Sequence, residues 1–150
     1  MTEYAKMRSL ADSLGGSAVF ERAVATELDL AREVEIGFPS ESLNFVLRDL
    51  GEAAISQRAV YAVVGTARTL QRKRRDATRL SRDESDRLAR MVRLISRAQD
   101  ALGSREKALR WLMKSNRALA GEVPLTLLAS DAGALAVERV LGRIEHGVLA

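Results

Sequence analysis

Residues 56–75, SQRAVYAVVGTARTLQRKRR, constrain this chain more than any other stretch. They read as two short helices joined by a tight turn, the second crowded with cations. Ser56 can cap the first helix, because its hydroxyl accepts a bond from an orphan N–H of the first turn. Ala59, Val60 and Val63 fall on one apolar face. Gly65 sits where a turn calls for backbone without a Cβ penalty, and Thr66 caps again. From Ala67 the second helix turns Leu70 inward and leaves Arg68, Thr69, Gln71, Arg72, Arg74 and Arg75 to face outward. A helix, a glycine-containing turn and a second helix make the helix-turn-helix plan, in which the second helix enters the DNA major groove. The competing reading is a solvated helical hairpin.

Charge bears on that choice. Residues 1–65 carry 6 basic and 10 acidic groups, residues 66–110 carry 14 and 6, and residues 111–150 carry 4 and 4. A charge run is usually a solvated face. Here the basic block is centred on the second helix of the pattern, as expected of a phosphate-binding surface. DNA binding there would be steeply salt-dependent, since each neutralised phosphate releases counterions.

With 150 residues the chain can bury a real core, in one domain or two small ones. It has no cysteine, hence no disulfide and no thiolate metal site. The opening MTEYAKMRSLADSL lacks the apolar run of a secretory signal. No stretch approaches the roughly 20 apolar residues that span a bilayer. A cytoplasmic protein with no membrane association is expected.

Only two prolines occur, β-branched alternation is nearly absent, and Ala, Leu, Arg and Glu dominate, so the expected fold class is all-α. A short helix is expected over 4–14, ending at Gly15-Gly16. A better one is expected over 17–35, with Phe20, Val24, Leu28 and Ala31 at helical spacing. Ser40 caps the next, with Leu43, Val46, Leu47 and Leu50 as its stripe and Gly51 as its stop. After the helix-turn-helix pattern and a polar linker, Ser81 caps a long helix over 82–102. Asp83, Glu84 and Asp86 favour its dipole, and Leu88, Met91, Val92, Ile95, Ala98 and Leu102 are its buried stripe. Ser104 opens a helix to about 115, with Trp111 expected in the core. Pro124 starts a short element. Asp131 caps the last helix, which runs to about 145 with Leu135, Val137, Val140, Leu141 and Ile144 buried.

The C-terminal third carries Gly103, Ala108, Trp111-Leu112, Asn116, Ala118-Leu119, Gly121, Pro124-Leu125, Leu128, Gly133, Val137, Leu141 and Arg143-Ile144-Glu145-His146-Gly147. This arrangement resembles the toxin-binding module of the Xre/MbcA/ParS antitoxins. Upstream, residues 66–72 and 80–88 resemble the Xre-like DNA-binding part of the same family, and the likeness runs from about Gly37 onward. What the resemblance implies is a type II antitoxin. Its partner would be an NAD-consuming RES-domain toxin whose active-site entrance the C-terminal region blocks. It would also repress its own operon. The implied organisation is an N-terminal helical segment over 1–36, a helix-turn-helix domain over 37–102 and a toxin-binding domain over 103–150.

The candidate DNA-contacting residues are Thr66, Arg68, Thr69, Gln71, Arg72, Lys73, Arg74, Arg75 and Arg79. Arginine can fork onto guanine O6 and N7, whereas Lys73 with Arg74 and Arg75 suits phosphate. Thr66 is equally well explained as a helix cap. Tyr61 is read as core. The candidate toxin-contacting residues are Arg143, His146, Gly147, Val148, Leu149 and Ala150. His146, the single histidine, makes neither a zinc site nor a triad by itself, and its place in a last helical turn also suits a structural cation. No enzyme, cofactor or metal is expected: there is no phosphate-binding loop, and the 83/84/86 acids are explained by the helix start. The expected partners are the toxin, inverted-repeat operator DNA and a second copy of the chain in a homodimer. The alternative is a DNA-binding regulator or architectural protein with no toxin partner.

Overall fold

The computed structural model of the chain describes residues 2–147. Among them are nine α-helices, two 3-10 turns and no strand. They form two compact units, Met1–Ala89 and Arg90–Ala150.

In the first unit α1 is Glu3–Ser13, capped by Thr2. Helix α2 is Glu27–Ile36, α3 is Ser40–Glu52, α4 is Gln57–Val64 and α5 is Ala67–Asp76. The helix expected over 17–35 is only half present. Gly16–Ala18 is a 3-10 turn, and α2 begins at Glu27. The reason is a capping box. Thr26 Oγ1 accepts from Asp29 N at 3.1 Å, and Asp29 Oδ2 accepts from Thr26 N at 2.9 Å and from Ala25 N at 3.0 Å. The Ala25 N–H foremost, and then Thr26, hold the Asp29 carboxyl below its usual range. Phe20 and Val24 are buried all the same, from irregular backbone, whereas Leu28 on α2 is 59% exposed. Phe20 meets Phe38 edge-to-face, with centroids 5.3 Å apart.

Two polar ties draw the start of α3 inward. Ser42 Oγ donates to Leu14 O at 2.7 Å, and Phe38 N donates to Ser85 Oγ at 2.8 Å. Pro39, not Ser40, occupies the N-cap of α3; Ser40 is buried. Gly37 has φ +92, and a Cβ there would lie 2.2 Å from Leu80 O, so this crossing of backbones requires glycine. Helix α3 packs on α4 and α5, and α4 packs on α5. Leu43, Val60 and Leu70, one from each helix, are fully buried.

Helix α6, Arg82–Leu102, starts in the first unit and continues in the second. The second unit adds α7 (Arg105–Leu112), a 3-10 turn (Arg117–Leu119), α8 (Pro124–Leu127) and α9 (Asp131–Glu145). Ser104 caps α7, as expected, by accepting from Lys107 N. Ser130, not Asp131, caps α9 by accepting from Gly133 N. A Cβ on Gly133 would lie 2.0 Å from Leu127 O, so this glycine sets how closely α9 sits on α8. Ala108, Leu112, Leu128, Val137 and Leu141 form the core, and Trp111 is half-buried. Leu135, expected inside, is 45% exposed.

Candidate functional site

Helices α4 and α5 are joined by Gly65 and Thr66 alone. Ser56 and Thr66 act as the caps expected of them, accepting from Ala59 N and Thr69 N. Gly65 is extended, at φ 175, so its left-handed freedom is not what the turn uses. A Cβ there would approach Glu84 Oε2 to 3.2 Å. Room for Glu84 is what the glycine supplies.

The cations singled out from the sequence separate into two sets. Arg68 and Arg72 are exposed on α5 and make no hydrogen bond or ion pair among the described residues. Arg75 is exposed, and its ion pair among the described residues is with its neighbour Asp76, at 3.1 Å. Gln71 is exposed beside them, and Thr69 is half-buried at the cap. Residues 68, 71, 72 and 75 share one face by helical spacing.

Lys73, Arg74 and Arg79 belong to the second set, each held by the protein itself. Arg79 donates to Gly37 O at 2.7 Å. Arg74 does not stand outward. Its Nε donates to Asn44 Oδ1 at 2.5 Å and its NH1 to the Tyr61 hydroxyl at 2.7 Å, joining α3, α4 and α5. Tyr61 is buried, and its hydroxyl also accepts from Gln57 Nε2.

Lys73 Nζ meets Glu84 Oε1 at 2.5 Å. Glu84 closes a capping box with Ser81: it accepts from Ser81 N at 2.7 Å, and Ser81 Oγ accepts from Glu84 N at 3.1 Å. Burial pushes the Glu84 carboxyl up, but the bonds from Lys73 and Ser81 outweigh it and hold the group below its usual range. The sequence accounts for Glu84 by capping and dipole effects at a helix start; its tie to Lys73 escapes, because a basic residue eleven positions earlier on another helix gives no local signal.

In the second unit, Arg143, His146 and Gly147 lie at the end of α9, all exposed. Val148, Leu149 and Ala150 lie outside the described residues. Leu135, Arg139 and Arg143 are exposed at four-residue spacing, with His146 one further turn on. Arg139 and Leu135 were missed as surface residues. Leu135 has core periodicity, and only the packing of α9 on α8 reveals which side faces out. Asp131 at the start of this helix pairs with Arg90, and Glu145 lies 3.5 Å from Arg97. Among the described residues, no three His, Asp or Glu side chains gather as metal ligands, and no helix is long and apolar enough to cross a membrane.

Residues 97–147, which cover α7 to α9, match the antitoxin Xre/MbcA/ParS C-terminal toxin-binding domain. The fold and this match define the class as an all-helical antitoxin. Antitoxin Xre of Photorhabdus laumondii is 31% identical over 129 residues, covering 76% of this chain and 87% of that protein. Antitoxin Xre of Yersinia enterocolitica is 36% identical over 98 residues, covering 64% and 66%. Antitoxin Xre of Pseudomonas putida is 37% identical over 68 residues, covering 45% and 43%. The chain belongs to the Xre antitoxin family.

Proposed function

We propose that this antitoxin neutralises a RES-domain toxin that consumes NAD, and that it represses its own operon by helix-turn-helix binding to an inverted repeat. The match of residues 97–147 to a toxin-binding domain carries the neutralising half of this reading. The RES identity of the toxin is what the family resemblance implies. The surface for it is the outer face of α9, where Leu135, Arg139, Arg143 and His146 are exposed in line, with Gly147 exposed after them; Val148, Leu149 and Ala150, next in sequence, are proposed to take part.

The repressing half rests on the exposed cations of α5. Arg68, Arg72 and Arg75 share a face with Gln71 and suit base edges or phosphate, and the Thr66 and Thr69 hydroxyls at the cap suit phosphate or a base edge. Lys73 and Arg74 serve the interface by fixing where α5 stands, and Arg79 ties the segment after α5 to Gly37. A homodimer would present two such helices about one DNA turn apart, roughly 34–36 Å. Phe20, Val24, Leu88 and Ile95 are buried within the chain itself, Leu102 is half-buried, and Leu28 and Ile36 remain as the large exposed apolar side chains of α2.

Co-expression with the product of the adjacent reading frame, followed by purification through a tag on one partner, tests the reading. A stoichiometric complex with a RES-type protein is expected. A chain that purifies alone, from cells in which that protein is made and soluble, would instead favour a DNA-binding regulator without a toxin partner.

A further inference from the structure

Helices α3, α4 and α5 enclose an open cleft of about 650 Å³, lined by Asn44, Arg48, Gln57, Gln71, Arg74 and Arg75 together with Leu47. Three of its seven lining residues are arginines, Arg48 from α3 and Arg74 and Arg75 from α5, and none is a carboxylate. Its floor is a fixed charge. Arg74 is held by Asn44 Oδ1 and the Tyr61 hydroxyl, both neutral acceptors, so its charge is positioned without being cancelled by a bonded carboxylate. Among the described residues, Glu41 accepts from the Asn44 amide, at 3.4 Å, and not from Arg74. Its rim is adaptable. Arg48 on α3 is exposed and makes no hydrogen bond or ion pair among the described residues. Arg48 also stands in the acidic half of the chain, where charge counting gave no reason to single it out.

Gln71 and Arg75 line this cleft from α5 and lie on the same helical face as Arg68 and Arg72. The cleft therefore borders the face assigned to the DNA groove. An open, polar, cationic cleft suits an oxyanion on a continuous strand better than an apolar ligand, which needs an enclosed pocket. Arginine forks match the paired oxygens of a phosphate. A contact of this kind fixes register on the duplex without reading sequence.

We propose that the α3–α4–α5 cleft is a phosphate seat, taking one phosphodiester group of the DNA backbone between the fixed Arg74 and the free Arg48. This inference rests on the operator-binding reading and extends its interface to α3.

Because a phosphate contact is indifferent to sequence, a short random-sequence duplex is a sufficient probe. Binding of the full chain is followed by fluorescence anisotropy between about 50 and 200 mM NaCl. The variants are Arg48→Ala, Arg48→Lys and Arg22→Ala, the last removing an exposed charge that does not line the cleft. The plot of log affinity against log salt should become shallower by about 0.9 per bound chain in Arg48→Ala. Arg48→Lys should keep the wild-type slope, and so should Arg22→Ala. An unchanged slope in Arg48→Ala, or an equal loss in Arg22→Ala, overturns the seat while leaving operator binding by α5 standing. Failure of the wild-type chain to bind any duplex at the lowest salt overturns the operator-binding reading itself, and the seat with it.

Discussion

Lys73 Nζ on α5 lies 2.5 Å from Glu84 Oε1 in the first turn of α6, with the two side chains only 16% and 9% exposed. The same carboxylate caps α6 through Ser81 N. One acidic group therefore starts one helix and ties another to it, and Gly65 leaves it the space to do so.

That dual role makes stability depend on pH. The Glu84 carboxyl is held below its ordinary value of 4.5, because the bonds from Lys73 and Ser81 outweigh burial. Its stabilisation is fully present above 4.5 and fades as the pH falls through the lower native value. Glu84→Gln keeps the capping bond, since glutamine serves that position too, but loses the ion pair. Urea unfolding should show it less stable than wild type by about 2 kcal/mol at neutral pH, below the range for breaking a fully buried pair because Lys73 keeps some solvent. The gap should close at acid pH. A gap that stays constant with pH would show that the ion pair contributes nothing.

Arg72 and Arg74 are two residues apart and should behave oppositely. Arg74→Ala leaves Asn44 and Tyr61 without their charged donor and should cost about 2 kcal/mol in folding stability. Arg72→Ala removes an exposed, unpartnered side chain and should stay within about 0.5 kcal/mol of wild type. Thermal unfolding reads both. In DNA binding the order changes: Arg72→Glu with Arg75→Glu should abolish operator binding without unfolding the chain.

The two glycines of α9 make a similar contrast. Gly133→Ala forces a methyl group against Leu127 O, and overpacking of this kind costs typically about 1–3 kcal/mol; the upper end is expected because the obstacle is backbone. At Gly142 the nearest atom to a new Cβ is Arg97 NH2 at 3.6 Å, an ordinary contact. Gly142→Ala should raise stability by up to about 1 kcal/mol through helix propensity. Comparing the two melting temperatures checks the packing of α9 on α8 directly.

What the sequence made legible was local. Ser56, Thr66 and Ser104 announced helix starts because a cap and its partner lie three residues apart. The interleaving of apolar and basic residues in 67–75 placed Leu70 inside and Arg68 and Arg72 outside. What escaped was tertiary. The spacing of Phe20, Val24 and Leu28 looks helical, yet Asp29 supplies a stronger signal by capping backward onto Ala25 and Thr26. Arg74 read as outward because Asn44 lies thirty residues away. Leu135 and Val137 carry equally apolar side chains, and only contact with α8 decides which of them is buried. Arg48 had no neighbouring basic residue to mark it.

If toxin blockade and operator binding occupy separate surfaces, as proposed, each should be removable alone. The most direct measurement expresses chain variants with the cognate toxin, scores growth and cellular NAD, and measures operator binding in parallel. Burying a leucine side chain is worth about 1.5–3 kcal/mol, and each 1.4 kcal/mol is a factor of about ten. Removing Val148, Leu149 and Ala150 should therefore weaken blockade by roughly one to two decades. Removing 143–150 should abolish protection and leave operator binding intact, while Arg72→Glu with Arg75→Glu should do the reverse. Full protection by the chain lacking 143–150 would contradict the account.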